Sequence, residues 1–139
     1  MTTAATGAQV FDLGELAARL PGDATSLVTD LRLVDRPEAG WRLFRVNRRL
    51  PRHLHRKCDE HLFVLRGRAL FEMGDAPVRE LAAGQAVYFP RGTWHGFPAI
   101  IEAPFLVLAF ETPSRDPSDV VFAGALTEPF LTTVEPSRA

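Results

Sequence analysis

Residues 47–67 read NRRLPRHLHRKCDEHLFVLRG, and this stretch decides how the chain is interpreted. It places His53 and His55 two residues apart and follows them with Glu60. Residues two apart in a β-strand project from the same face, so the two imidazoles can lie side by side. We expect Glu60, which opens the next strand-like run, to add a carboxylate beside them.

A second stretch, residues 84–99, reads GQAVYFPRGTWHGFPA and contributes a third histidine. Three imidazole nitrogens and one carboxylate oxygen suit a first-row divalent cation, whether iron, manganese, nickel, zinc, cobalt or copper. Such a shell leaves coordination positions open for water or substrate. The sequence therefore predicts a mononuclear site for a divalent transition metal whose ligands are His53, His55, Glu60 and His95.

Length and composition exclude several classes of protein. A chain of 139 residues fits one domain with a core of its own. Its formal net charge of -1 gives no overall attraction to nucleic acid or to a membrane. Cys58 is the only cysteine, which excludes a disulfide framework. Because residues 1–10 lack the pattern of a secretory signal, we expect a cytoplasmic protein that binds neither nucleic acid nor membrane.

The N-terminal part combines a lead-in with a short helix. Residues 1–10 are small and polar, which predicts disorder. An approximately helical apolar face then runs from Phe11 to Leu20, with Asp12 as the predicted N-cap. Pro21 and the glycine after it end this helix.

After residue 22 the pattern is that of short β-strands separated by glycine- and proline-rich turns. Strands are predicted over Ser26–Val34, Trp41–Asn47, His61–Leu65, Ala69–Met73, Val78–Leu81, Ala86–Phe89 and Phe105–Phe110. The third and fourth are separated at Gly67. This order indicates an all-β sandwich or barrel over residues 11–122. Residues 123–139 are expected to form a C-terminal tail that wraps the outside.

Both stretches resemble the paired motifs of the cupin superfamily. The first motif, G-x5-H-x-H-x3,4-E-x6-G, reads here as Asn47-x5-His53-x-His55-x4-Glu60-x6-Gly67. The second motif, G-x5-P-x-G-x2-H-x3-N, reads as Gly84-x5-Pro90-x-Gly92-x2-His95-x3-Ala99. The resemblance implies an antiparallel jelly-roll β-barrel of the small single-domain kind found in bacteria. It also implies that the two histidines and the glutamate of the first motif, with the histidine of the second, ligate the metal.

Two positions depart from these motifs. Asn47 stands where the first motif opens with glycine, and we expect its backbone to adopt the left-handed conformation, which asparagine tolerates. Ala99 replaces the closing asparagine of the second motif, which affects how that strand is held and leaves the ligands in place.

Other residues near the motifs have open assignments. Arg91, Phe89 and Phe97 are candidate substrate contacts, although an exposed arginine and two core aromatics are the alternatives. His61 should face away from the ligands, because it is adjacent to Glu60 on the same strand. Cys58 is either a thiol that acts near the metal or an ordinary loop cysteine.

The predicted site favours a mononuclear non-haem metal enzyme, similar to a dioxygenase, that acts on a small organic acid or thiol. With one carboxylate the bound site keeps a formal +1 charge and favours an anionic substrate. A metal-dependent isomerase or lyase and a non-catalytic metal- or ligand-binding barrel are the alternatives. No catalytic residue is assigned outside the metal shell. Metal occupancy is expected to fall below about pH 6 as histidines protonate.

We also expect a homodimer. Phe105–Phe110 is apolar on both faces and the N-terminal segment has no obvious strand partner, so a second subunit is expected to cover them.

Overall fold

The computed structural model describes residues 7–135. This range contains ten β-strands and one short helix. The elements are α1 (Leu13–Ala17), β1 (Val28–Arg36), β2 (Ala39–Val46), β3 (Leu50–Leu54), β4 (Asp59–Met73), β5 (Arg79–Ala82), β6 (Ala86–Phe89), β7 (His95–Phe97), β8 (Ile100–Thr112), β9 (Val121–Phe122) and β10 (Leu131–Val134). The predicted all-β class with a short N-terminal helix is confirmed. The lead-in predicted over residues 1–10 lies partly outside the described residues, and 7–10 form neither helix nor strand.

The helix α1 begins where the sequence predicts and ends earlier. The Asp12 side chain accepts a hydrogen bond of 3.0 Å from the backbone N–H of Glu15, which makes Asp12 the N-cap. The regular helix ends at Ala17, but the backbone N–H of Leu20 still donates to the Ala17 carbonyl at 3.0 Å. The chain therefore reaches Pro21 through a tighter turn rather than through the full predicted helix.

The strands form one sheet that curls on itself, in the order β10-β1-β2-β8-β4-β7-β3-β9. β5 and β6 both pair with β4. Strand pairs within this sheet are antiparallel except for β1 and β10, which run parallel. The jelly-roll architecture predicted from the motifs is confirmed.

Gly67 lies inside a strand instead of between two strands, so the predicted separation at this residue is wrong. β4 runs through it, and the pairing of β4 with β8 shifts register on either side of it. Gly67 has φ +85°, and a Cβ there would collide with the carbonyl oxygens of Glu102 and Pro104. A bulge of this kind bends the strand without ending it, which the change of composition at glycine does not reveal.

Alternation along β8 separates two apolar clusters. Phe105, Val107 and Ala109 are fully buried and face the inner cluster, inside the curled sheet. Leu106 faces the opposite side, where it joins an outer cluster that α1 and the segment after it cover with Leu20. The two-sided apolar character of this strand therefore arises partly from packing against the chain's own N-terminal segment.

The C-terminal segment contributes to the sheet as well as to its surface. β10 pairs with β1, with Val28 opposite Leu131 and Leu31 opposite Val134. Phe130, just before this strand, packs against the inner cluster. The tail predicted over residues 123–139 thus adds a strand before it leaves the described residues. Within residues 7–135 there is no helix of the length and apolarity needed to cross a membrane.

Candidate metal centre

Three imidazoles converge inside the curled sheet. His53 lies on β3, directly opposite His95 at the start of β7, and His55 follows β3 by one residue. One ring nitrogen from each of the three lies within 4.8 Å of the others. All three side chains are buried. This arrangement gives a cation three nitrogen donors from two neighbouring strands and the loop after one of them.

Each imidazole is oriented by a backbone carbonyl. The Nδ1 atoms of His53, His55 and His95 lie 2.8, 2.6 and 2.9 Å from the carbonyl oxygens of Pro51, Asp119 and Thr93 respectively. A carbonyl only accepts, so each Nδ1 carries the proton and donates it. Nε2 of each ring then keeps its lone pair for a metal, which is the usual orientation of ligating histidines.

The barrel interior keeps two of these imidazoles neutral. Burial lowers the pKa of His53 to about 3, and burial together with the neighbouring histidines lowers the pKa of His95 well below its ordinary value. Neutral imidazole is the form that binds a metal. In the folded protein, protons therefore compete with a metal for the nitrogens of His53 and His95 only at a pH below the value of about 6 that an ordinary histidine pKa implies.

Glu60 lies beside the three imidazoles and contacts one of them. Its Oε1 is 3.3 Å from Nε2 of His55 and 4.0 Å from Nη2 of Arg42. Its Oε2 is buried and has no hydrogen-bond partner in the described part of the chain. A buried carboxylate oxygen without a donor is costly. Among the described residues, the possible ligand atoms that lie within 4.8 Å of one another come from the three histidines, and the fourth predicted ligand, Glu60, is not part of that group. The three imidazoles therefore fit a bound transition metal, with Glu60 beside them as a carboxylate that contacts His55.

Next to Glu60 lies a buried ion-pair network that the sequence did not predict. It consists of two arginines and two carboxylates, namely Arg42, Arg115, Asp30 and Glu111. Oε2 of Glu111 accepts from Nε of Arg42 at 2.7 Å and from Nε of Arg115 at 3.2 Å. Nη1 of Arg42 also donates to Asp30 at 3.2 Å. With Glu60 the group has two formal positive charges and three negative charges, a sum of -1, which a divalent cation would change to +1.

A signal for this network was present in the strand alternation. Glu111 continues the inward positions of β8, two residues after Ala109, and Arg42 shares the inward face of β2 with Phe44. Glu60 and Glu111 are direct cross-strand partners, an unfavourable pairing for two carboxylates unless cations lie between them. A charged residue at an inward position of a strand therefore indicates a buried partner of opposite charge.

A cavity of about 30 Å³ adjoins the imidazoles. Apart from the four predicted ligands its walls are apolar side chains and the two arginines, Arg42 and Arg115, and the apolar residues include Phe97 and Phe130. The volume accommodates an ion with one or two water molecules. Phe130 comes from the C-terminal segment and its ring centroid is 6.1 Å from that of His53.

The candidate substrate contacts have different positions. Phe97 lines this cavity, and the Phe89 ring packs on His95 with centroids 4.3 Å apart. Arg91 lies away from the cavity walls, and both its backbone N–H and its Nε donate to Oδ1 of Asp59 at 3.0 Å. Its guanidinium is half exposed. Arg115, and not the predicted contact Arg91, lines the cavity beside the imidazoles.

Hydrogen bonds tie the two motifs together. Gly92, with φ +81°, donates its N–H to the carbonyl oxygen of His55 at 2.7 Å. Asn47 does not adopt the expected left-handed conformation, since within residues 7–135 only glycines have positive φ. Its amide instead donates to the Ser26 carbonyl at 3.0 Å, so it holds the turn with its side chain.

His61 and Cys58 lie outside the ligand set. Nε2 of His61 is 3.0 Å from Oγ1 of Thr112, and the ring is 5.1 Å from that of Tyr88 on the outer face. Cys58 is buried, and burial raises the pKa of its thiol to about 12. Its thiol is therefore protonated at neutral pH, which disfavours a reactive thiolate near the metal.

Solved structures with the same fold include an uncharacterised conserved protein with a double-stranded β-helix domain from Klebsiella pneumoniae. The two sequences are 16% identical, the alignment covers 86% of this chain and 100% of the Klebsiella chain, and the TM-score is 0.68. KdgF from Halomonas sp. is 24% identical over 68% of this chain and 87% of its own, with a TM-score of 0.59. DMSP lyase DddQ from Ruegeria pomeroyi is 24% identical over 76% of this chain and 56% of its own, with a TM-score of 0.61.

No curated protein sequence matches this one. The sequence pattern of the Cupin domain family matches residues 42–111, which is half of the chain and contains all four predicted ligands. The motifs, the curled sheet and this match agree, and the chain belongs to the cupin superfamily.

Proposed function

We propose that this chain is a mononuclear divalent-metal enzyme, similar to a dioxygenase, that acts on a small organic acid or thiol. One observation carries the proposal: three buried imidazoles, each held at Nδ1 by a backbone carbonyl, bring one ring nitrogen apiece within 4.8 Å of one another, and the buried carboxylate of Glu60 contacts one of them. His53, His55, His95 and Glu60 would hold the metal. When bound, the metal would supply Lewis acidity and the capacity to activate dioxygen.

The charges around the cavity support an anionic substrate. Arg42 and Arg115 line the cavity, and with a divalent cation the buried group has a formal charge of +1. Arg115 is held by Nε to Glu111 and by Nη1 to the Pro117 carbonyl at 3.4 Å. A guanidinium fixed in this way would orient a carboxylate beside the metal.

The cavity walls favour oxygen chemistry over proton transfer. Beyond the four predicted ligands, the lining residues are two arginines and apolar side chains. An arginine stays protonated at neutral pH, and the others carry no titratable group. An isomerase or lyase that depends on a separate general base would find no such group here, whereas the apolar walls would exclude water from a reactive centre.

Oxygen uptake by iron-loaded protein tests the proposal. A panel of thiols, catechols, β-diketones and short carboxylic acids would be supplied to the wild-type protein and to two variants, His55→Ala and His61→Ala. We expect uptake with at least one substrate, its loss in His55→Ala, and its retention in His61→Ala. Metal binding without uptake across the panel would overturn the dioxygenase assignment.

A non-catalytic metal-binding barrel is the second candidate, and the size of the cavity favours it. A volume of about 30 Å³ is far below the range of about 300–1,000 Å³ that is usual for ligand pockets. The enzyme proposal requires a lining side chain to move so that a substrate can enter, and we propose Phe130, which the C-terminal segment contributes to the cavity wall. Phe130→Ala should then raise the rate of uptake at low substrate concentration, whereas a storage or sensing role predicts no uptake in either protein.

We further propose that the protein is a cytoplasmic homodimer. The support is an outer face on which the side chains of Phe63 and Tyr88 are 40% and 55% exposed, where a second subunit would cover them. The cytoplasmic location rests on a single, unpaired Cys58. Light scattering that finds only a 15.4 kDa species would remove the dimer proposal.

A further inference from the structure

A second cavity lies away from the imidazoles, on the outer face of the sheet. It is a groove of about 460 Å³ between the helical segment and the strands beneath it. Its helical side is built from small residues, Gly14, Ala17 and Ala18, and its floor includes Leu106. We call this space the outer groove. Its volume is within the range of pockets that bind small organic molecules.

Two arginines stand in line across the floor of the outer groove. Leu106 on β8 is the register partner of Arg45 on β2 and also of Arg66 on β4. Neighbouring strands lie about 4.8 Å apart, so the Cα atoms of the two arginines are separated by roughly 10 Å across Leu106. Both arginines line the groove, and the Arg45 guanidinium lies next to Gly22. Side chains of that length can swing both guanidinium groups toward a single head group above the leucine.

Neither guanidinium has an acidic partner. Within residues 7–135 no side-chain hydrogen bond or ion pair joins Arg45 or Arg66 to another residue, and Nε of Arg45 is buried without an acceptor. A buried N–H of this kind costs free energy until an acceptor reaches it. Nearby Arg68, by contrast, is paired with Glu102 and Glu80.

We propose that the outer groove is a second ligand site, one that binds a small amphipathic carboxylate whose head group bridges Arg45 and Arg66 and whose apolar body lies along α1. The two guanidinium groups supply charge complementarity for one anionic head. Leu13, Leu20, Leu65 and Pro104 supply an apolar wall for a flexible chain. A medium-chain fatty acid has this chemistry.

The site is independent of the metal proposed above. The groove contacts the outward positions of β2, β4 and β8, whereas the imidazoles occupy the inner side of the sheet. A ligand in the groove would press on α1 and not on the metal shell. The binding test therefore gives the same answer whether or not the enzyme proposal is correct.

Isothermal titration calorimetry with decanoate, decanol and decylamine tests the proposal. Wild-type protein and the His55→Ala variant should bind decanoate with equal affinity. The Arg45→Met/Arg66→Met double variant should bind it at least tenfold more weakly, because both charge-assisted contacts are lost. Decanol should bind the wild type and this double variant alike, and decylamine should bind neither.

Two further variants serve as controls. Arg49→Met/Arg79→Met removes the same charge at exposed positions outside the groove and should leave the affinity unchanged. Ala18→Trp fills the groove from the exposed C-cap of α1 and should abolish binding with both arginines present. Undetectable decanoate binding by the wild type, or equal binding by the arginine double variant, overturns the proposal. So does a decanoate-dependent change of mass in light scattering, which would show that the groove is a contact between two copies of the chain.

Discussion

Arg42 and Arg45 are three residues apart on β2 and face opposite sides of the sheet. Arg42 is buried and reaches Glu111, Asp30 and, at 4.0 Å, Glu60. Arg45 faces the outer groove, where its buried Nε has no acceptor. The inner arginine is part of a closed set of charges, and the outer arginine is open to a ligand.

The difference shows how one strand can serve stability on one side and binding on the other. A charge inside the barrel is tolerated only when other groups compensate it, and the pKa of Arg42 is raised by Glu111, Asp30 and Glu60 despite burial. A charge at the outer groove stays in contact with water through the open side. It is therefore stable without an ion-pair partner and can bind an exchangeable anion. An unpaired cation at a groove therefore predicts an anionic ligand without any rearrangement of existing ion pairs.

The largest expected effect comes from removing the inner arginine. Arg42→Met leaves Asp30 and Glu111 buried with one cation fewer, and we expect the free energy of unfolding to fall by about 3–5 kcal/mol. Arg45→Met removes an unpaired group, and its effect should stay within about 0.5 kcal/mol. Urea unfolding followed by circular dichroism measures both. Equal losses in the two variants would contradict the division between the faces.

A second test compares two histidines on the two faces. His55→Ala should weaken binding of Zn²⁺ or Co²⁺ by about 100-fold or more, because it removes one nitrogen donor. His61→Ala, on the outer side of β4, should leave the affinity unchanged. Calorimetric titration with metal measures both values. Since the inner apolar cluster contains neither histidine, both variants should remain folded, and outright unfolding of His55→Ala would show that the site and the core are not separable.

The smallest effect is a dependence of stability on pH. The folded state keeps His53 neutral, with its pKa lowered to about 3 from 6.5 by burial. Below pH 6.5 the unfolded chain takes up a proton there while the folded chain does not. The free energy of unfolding of metal-free protein should therefore fall as pH falls, by up to about 1.4 kcal/mol per pH unit for this residue. Its contribution levels off near pH 3.

Urea unfolding at several pH values between 7.5 and 5 measures this slope, and His53→Gln should reduce it. Arg45→Met, on the outer face, should leave the slope as in the wild type. A stability that does not change over this range would mean that the folded barrel accepts the proton on His53.

The sequence predicts the cluster of three histidines because their positions depend on local spacing. The alternation of a strand predicts that His53 and His55 project to the same side, although His55 lies one residue beyond β3, and the second motif supplies His95 at a fixed distance from its glycines. The buried partners of Arg42 depend on which strands become neighbours. Glu111 is 69 residues away in the chain, and only the pairing of β2 with β8 brings the two together.

Gly67 and Arg91 illustrate the same limit. A glycine between two apolar runs indicates a break, and only the close approach of the Glu102 and Pro104 carbonyls turns it into a bulge within β4. Arg91 lies four residues before His95 in the chain, but its guanidinium forms an ion pair with Asp59 and does not line the cavity. Local sequence therefore predicts where a strand lies. It does not predict which residue a long side chain will contact.

The residues that follow position 111 have a separate significance. All four predicted donors lie within the span that matches the family pattern, whereas Arg115, Asp119 and Phe130 come after it. A change confined to this later segment would thus alter the surroundings of the donors without replacing any of them. Exchanging residues 112–135 between barrels of this fold offers a route to new selectivity with the four predicted donors unchanged.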